Sequence, residues 1–223
     1  MLSNSNFWRS GHDAEELPSP TTVVPFAGRI GANQESSVDK TNSAHIELLQ
    51  QSPDAAPWIP LKDALSLRHF LHVALWKAAV VEAIAVGLGE TVNILATGAL
   101  VPNLLSGLTA ILVLPLFIFA AGPVSGAHLN PTITIATFFG RLATLPRCIL
   151  YVGFQVFGGA IAGLLLRASL DTRSFIVPGC YIDTTKVSAG SAFAIEFTTD
   201  LALIFLSFGV GLDPRQRSDL GQP

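Results

Sequence analysis

The chain has 223 residues, half of them hydrophobic and 13% charged, with a mean hydropathy of +0.51. A soluble domain carries roughly a quarter charged residues, so the composition argues for a bilayer and against an ordinary water-soluble fold. The net charge of −3 contains no basic cluster, which excludes a nucleic-acid partner. The two cysteines and five scattered histidines show no metal-ligand spacing, so neither a metal nor a cofactor is expected.

Residues 1–69 hold five Lys/Arg against eight Asp/Glu, whereas 70–223 hold eight of each. Residues 1–57 are polar, with scattered Pro, Ser, Asn and Asp and no sustained period; they are expected to form a disordered cytoplasmic tail. No charged-then-apolar signal opens the chain, which leaves targeting to the first span. From Trp58, WIPLKDALSLRHFLHVALWK mixes leucines with Lys62, Arg68, His69, His72 and Lys77 between Trp58 and Trp76. That pattern predicts an amphipathic lead-in at the membrane interface. The chain thus divides into a tail with lead-in over 1–69, a transmembrane domain over 70–213 and a short cytoplasmic tail over 214–223.

Four apolar segments follow, over about 78–101, 105–121, 148–166 and 191–211. At ~1.5 Å per residue each approaches or exceeds the ~30 Å hydrocarbon core, the second being the shortest. An all-α membrane protein of four transmembrane helices is expected. With the N-terminus inside, Lys62, Arg68, Lys77, Arg141, Arg147, Arg215 and Arg217 fall near cytoplasmic ends, and Arg167, Arg173 and Lys186 outside. This imbalance predicts cytoplasmic termini.

Between the second and third spans stands SGAHLNPTIT, from Ser125 to Thr134, leading into an apolar stretch that stops at Gly140. Ten helical residues reach ~15 Å, half the core. Pro131 suits the first helical position, Asn130 the N-cap and Gly140 the end. A half-length helix entered through irregular backbone survives at membrane depth only where it is buried in protein or lines water. The Gly126, Ala127, His128 and Leu129 carbonyls are then expected to form a ladder of acceptors along a pore. The Asn130 amide nitrogen would donate to a passing molecule beside the positive helix end.

This motif resembles the major intrinsic proteins, the aquaporin and aquaglyceroporin family, whose first re-entrant loop usually reads Asn-Pro-Ala where this chain has Asn130-Pro131-Thr132. AVVEAIA, with Glu82, YVGFQVFGGAIAG, with Tyr151, Gln155 and Gly159, and SAFAIEFTTDLALIF, with Glu196, resemble the family's first, third and fourth helices. With VPGCYIDTT, the threonine variant looks most like the X intrinsic protein subgroup. The resemblance implies an inverted-repeat bundle, in which Glu82 and Glu196 are buried acids that orient the re-entrant loops. It places the second-helix filter position near Ala110, where a small residue widens the filter. It also implies a lipid bilayer, water or small neutral solutes and, where the second repeat is present, a homo-tetramer as partners, in a plasma membrane.

The family pattern would continue beyond Glu196 into a second Asn-Pro loop, but no other Asn-Pro pair occurs before Pro223. The bundle therefore reads as incomplete: four transmembrane helices and one re-entrant half-helix. Three functions compete: a passive channel for water, glycerol, urea or peroxide; a non-conducting subunit or fragment that associates with full-length relatives; and a secondary transporter. The last lacks a cation or spare carboxylate facing Asn130. No nucleophile–base pair can be assembled, so enzyme chemistry is not expected. Gly159 and Gly163 form a GxxxG element read as a helix contact, and His128 is read equally as lining the pore mouth or bracing the turn. Cys148 and Cys180 fall on opposite sides of the membrane and cannot pair with each other.

Overall fold

The structure, a computed structural model, describes residues 26–30, 49–50, 52–55, 58–97, 104–170 and 182–212. Cys180 and the expected tail over 214–223 lie outside them, as does the end of the first apolar segment. Two single helical turns, Leu61–Ala64 and Leu67–Leu71, lead into α1 (Val73–Thr97), followed by α2 (Leu104–Ser125), the short α3 (Pro131–Phe139), α4 (Leu145–Ser169) and α5 (Ala189–Ser207). A π-helical turn, Phe208–Leu212, extends α5. Four of these helices are long and apolar enough to cross a membrane. The nine residues of α3 reach only about 14 Å.

The lead-in leaves Trp58, Leu61, Leu65, Leu67 and Leu71 exposed. The helix of the first span begins at Val73, ahead of the apolar run, and takes in Trp76 and Lys77. Lys77 is exposed there, where its long stem can carry the charge toward the interface.

Helix α1 packs chiefly against α4 and next against α2, while α3 lies against α4 and α5. The α1–α4 seam mixes large and small residues and closes most tightly at the small ones. On α1, Leu75, Ala78, Ala79, Glu82 and Ala83 are buried, and on α4, Tyr151, Gln155, Gly158, Ala162 and Leu166. Both sets recur at three- and four-residue spacing, one face of each helix. A Cβ on Gly158 would overlap the Ala83 carbonyl, and one on Gly87 would lie 3.1 Å from the Gly158 oxygen. Close backbone approach at small residues is how helices associate where apolar burial gives little drive. The GxxxG reading is corrected accordingly: among the described residues Gly159 and Gly163 have no atom within 4 Å of a Cβ position. The helical phase set by Tyr151, Gln155 and Ala162 turns Gly158 inward and its neighbour outward.

The expected tail is corrected in two places. Residues 26–30 are packed, with Phe26, Ala27 and Arg29 buried, and so are Asp54 and Ala55. Ala27 forms an apolar cluster with Leu142 and Leu212, joined by Ile30 and Phe208. The Asp54 carbonyl accepts from Ala27 N at 2.7 Å, so the two segments brace each other against the bundle.

Candidate functional site

The site is built around Glu82, 0% exposed on α1. Its Oε1 accepts from the Ser125 hydroxyl and from His128 N at 3.1 Å; its Oε2 accepts from Leu129 N at 2.7 Å and Gln155 Nε2 at 2.8 Å. An ionised carboxylate offers about four acceptor positions, and all are used by donors. The loop presents its N–H groups in this way because Gly126, Ala127 and Leu129 have φ of 87°, 53° and 52°. Left-handed residues among right-handed ones turn successive N–H groups to one side, forming an anion-binding concavity. Non-glycine residues in that region cost roughly 1 kcal/mol or more, which the bonds to Glu82 offset.

The loop then enters α3. Asn130 has extended backbone, φ −146° and ψ 126°, and its Oδ1 accepts from Thr132 N at 2.8 Å, with Pro131 in the first turn. The Asn130 carbonyl accepts from Thr134 N and Oγ1, and Thr134 also meets Gln155. At the other end a Cβ on Gly140 would lie 2.9 Å from the Phe208 ring. The left-handed turn there belongs to Arg141, with φ 56°.

Not all of the expected carbonyl ladder is open. The Gly126 oxygen accepts from Ile30 N at 2.8 Å, and the Ser125 oxygen from Tyr151 Oη at 2.6 Å. The Ala127, His128 and Leu129 oxygens take no bond among the described residues, nor does Asn130 Nδ2. His128 is 3% exposed and braces the turn, with Nε2 at 2.8 Å from the Gly28 oxygen and Nδ1 at 3.1 Å from Thr134 Oγ1.

Ala110 lines a cleft of about 120 Å³ between α1 and α2 together with Gly89, Glu90, Asn93, Phe117 and the loop residue Leu129. Thr132 instead borders a groove between α3 and α5, with Phe139, Ile204 and Phe208.

The expectation for Glu196 is corrected. It is exposed, as is Asp200, and α5 has no buried residue. The reason is packing: among the described helices of the bundle α5 packs chiefly against α3, and its acidic face stays uncovered by the described residues.

A polar cluster that the sequence left unmarked supports the loop from below. Arg147 donates to Asp54 from Nε at 2.6 Å and Nη2 at 3.1 Å, and from Nη1 to Tyr151 Oη at 2.7 Å. Tyr151 in turn donates to the Ser125 carbonyl. Burial by itself raises the Asp54 pKa, but Arg147 and His69 beside it more than offset this and hold it below the usual carboxylate range. Burial, opposed by Asp54, pushes His69 down to about 4. His69 Nδ1 lies 2.7 Å from Thr144 Oγ1. Asp54 sits in a polar, aperiodic stretch, and nothing local distinguishes it from the other seven acids before residue 70.

Residues 69–222 match the family model described as Major intrinsic protein. The chain is 36% identical over 107 residues to Aquaporin-5 of Rattus norvegicus, covering 47% of this chain and 39% of that one. It is 31% identical over 110 residues to Probable aquaporin NIP4-2 of Arabidopsis thaliana, covering 49% and 38%. Aquaporin-B of Dictyostelium discoideum is 31% identical over 104 residues, covering 43% and 34%. The chain thus spans less than two fifths of the length of these relatives. No solved structure matches.

Proposed function

The chain belongs to the major intrinsic protein family, and from that membership we propose that it forms a wall of a passive membrane channel for water or small neutral solutes. The observation that carries this reading is the loop clamped by Glu82. It leaves three carbonyl acceptors in a row and ends at the Asn130 amide donor on the tip of a half-length helix. Acceptors followed by a single donor at a positive helix end orient a water or hydroxyl group and oppose cations. The small Ala110 beside Leu129 in the cleft favours glycerol, urea or peroxide over water alone. The distribution of Lys and Arg supports a cytoplasmic N-terminus. Vesicles carrying the full chain should swell faster in an osmotic gradient than empty ones, and Asn130→Asp should slow them. Swelling at the empty-vesicle rate sinks conduction by this chain alone.

A second reading is association with a further segment or copy of the same family. It is favoured by α5, which is apolar yet bears Glu196 and Asp200 uncovered. A carboxylate facing lipid near mid-membrane costs roughly 2.5–3.5 kcal/mol on insertion scales, which a covering donor would offset. Oligomers trapped by cross-linking together with no swelling would favour this reading over the first.

A further inference from the structure

We propose that residues 26–30 are an intramolecular closure docked on the re-entrant loop, where they take up a carbonyl acceptor that a permeating molecule would use. The docking is read from contacts alone; only its effect on flux rests on the channel reading above.

The contacts are dense for five residues. Ile30 N donates to the Gly126 oxygen at 2.8 Å, removing one acceptor from the loop. The Gly28 oxygen lies 2.8 Å from His128 Nε2. Arg29 Nη1 donates to the Gly122 oxygen at the end of α2, at 2.7 Å. The Phe26 ring lies 5.4 Å from the His128 ring and 4.0 Å beneath the Arg147 guanidinium, a cation–π arrangement.

Two features show mutual fit. A Cβ on Gly126 would lie 2.7 Å from the Phe26 ring and 3.1 Å from Arg29 Cα, so the loop glycine serves this contact as well as its left-handed turn. The segment is also held from outside the loop. Ala27 N donates to the Asp54 carbonyl, and the Asp54 carboxylate forms a two-pronged ion pair with Arg147. Asp54 therefore acts as a latch between the segment and α4. A buried pair of this kind leaves a costly uncompensated charge when one partner is removed.

The test uses the full chain in vesicles with the cytoplasmic face outward, treated with trypsin, and reads by mass spectrometry the new N-terminus at Ile30. Arg29 is 1% exposed, so cleavage there reports undocking, while the exposed Lys62 and Arg68 report protease activity. In the unmodified chain Arg29 should be cut far more slowly than Lys62. Asp54→Asn should speed it about tenfold, since cleavage tracks the population of the open form. Cutting at Arg29 as fast as at Lys62 in the unmodified chain overturns the docking. If Asp54→Asn also exposes buried Arg147 to cleavage, the variant has unfolded and Phe26→Ala, which removes only ring contacts, takes its place. Continued protection of Arg29 in Phe26→Ala overturns the assigned contacts.

Osmotic swelling is measured on the same vesicles. Faster swelling in the released variant supports closure; swelling that is present but unchanged overturns it. Release without swelling in either chain leaves the docking standing and sinks the channel reading instead.

Discussion

Gln155 on α4 donates its side-chain amide to Glu82 on α1 at 2.8 Å, and the same carboxylate holds two consecutive loop N–H groups. The helix pair and the re-entrant loop thus share one acceptor. Glu82→Gln keeps the shape but turns an amide toward groups that all donate. Hydrogen bonds to a charged group are worth about 1.5–3 kcal/mol each, so a loss of roughly 3 kcal/mol is expected. Gln155→Ala should lose less, because the backbone donors remain paired. Denaturation in detergent micelles measures the order; equal losses would show that Glu82 does not act as the shared acceptor.

Gly158 and Gly159 should differ sharply although adjacent. Gly158→Ala drives a methyl into the Ala83 backbone, and overpacking of this kind costs about 1–3 kcal/mol. Gly159→Ala meets nothing within 4 Å and should be neutral or gain up to about 1 kcal/mol from helix propensity. Thermal unfolding of the two variants decides whether the seam has this phase.

Asn130 has a structural task separable from its proposed transport task. Asn130→Ala removes the acceptor for Thr132 N and should cost about 1 kcal/mol. Asn130→Asp retains that acceptor and places negative charge at a helix N-terminus, so stability should hold while swelling falls. Hydrogen exchange at the Thr132 amide, faster in the alanine variant only, reads the first effect.

Acid should weaken the packing around His69 and Asp54. The folded-state pKa of His69 is about 4, against an ordinary 6.5. Between these values the unfolded chain takes up a proton that the folded chain refuses. This stability is therefore present above pH 6.5 and lost as pH falls toward 4, by up to roughly 3 kcal/mol. Asp54, also depressed, adds a further loss below its ordinary range. His69→Gln should flatten the profile between pH 6.5 and 4; an unchanged slope would assign the acid sensitivity to another group.

Much of the fold was legible because membrane helices are written in length and hydropathy. The half-length helix was legible too, since Asn130, Pro131 and Gly140 mark its ends locally. Glu82 and Glu196 show the boundary of such reading. Both stand in similar apolar runs, yet Glu82 is buried under a loop that donates to it, whereas Glu196 faces outward from a helix with no buried residue. Burial depends on what packs against a face, which local pattern does not encode.

The sequence alone determined the bilayer, four spans, a half-helix and its cap, because each follows from periodicity, rise per residue and the chemistry of a few local side chains. Only tertiary structure decided that Gly158 rather than Gly159 meets α1, and that His128 braces the turn. It alone brought residues 26–30 and Asp54 from a polar stretch to the underside of the loop. Those outcomes rest on pairings such as Asp54 with Arg147, 93 residues apart. No local signal marks such partners; the packing of α1 and α4 and the shared need of buried charges for opposite charge bring them together.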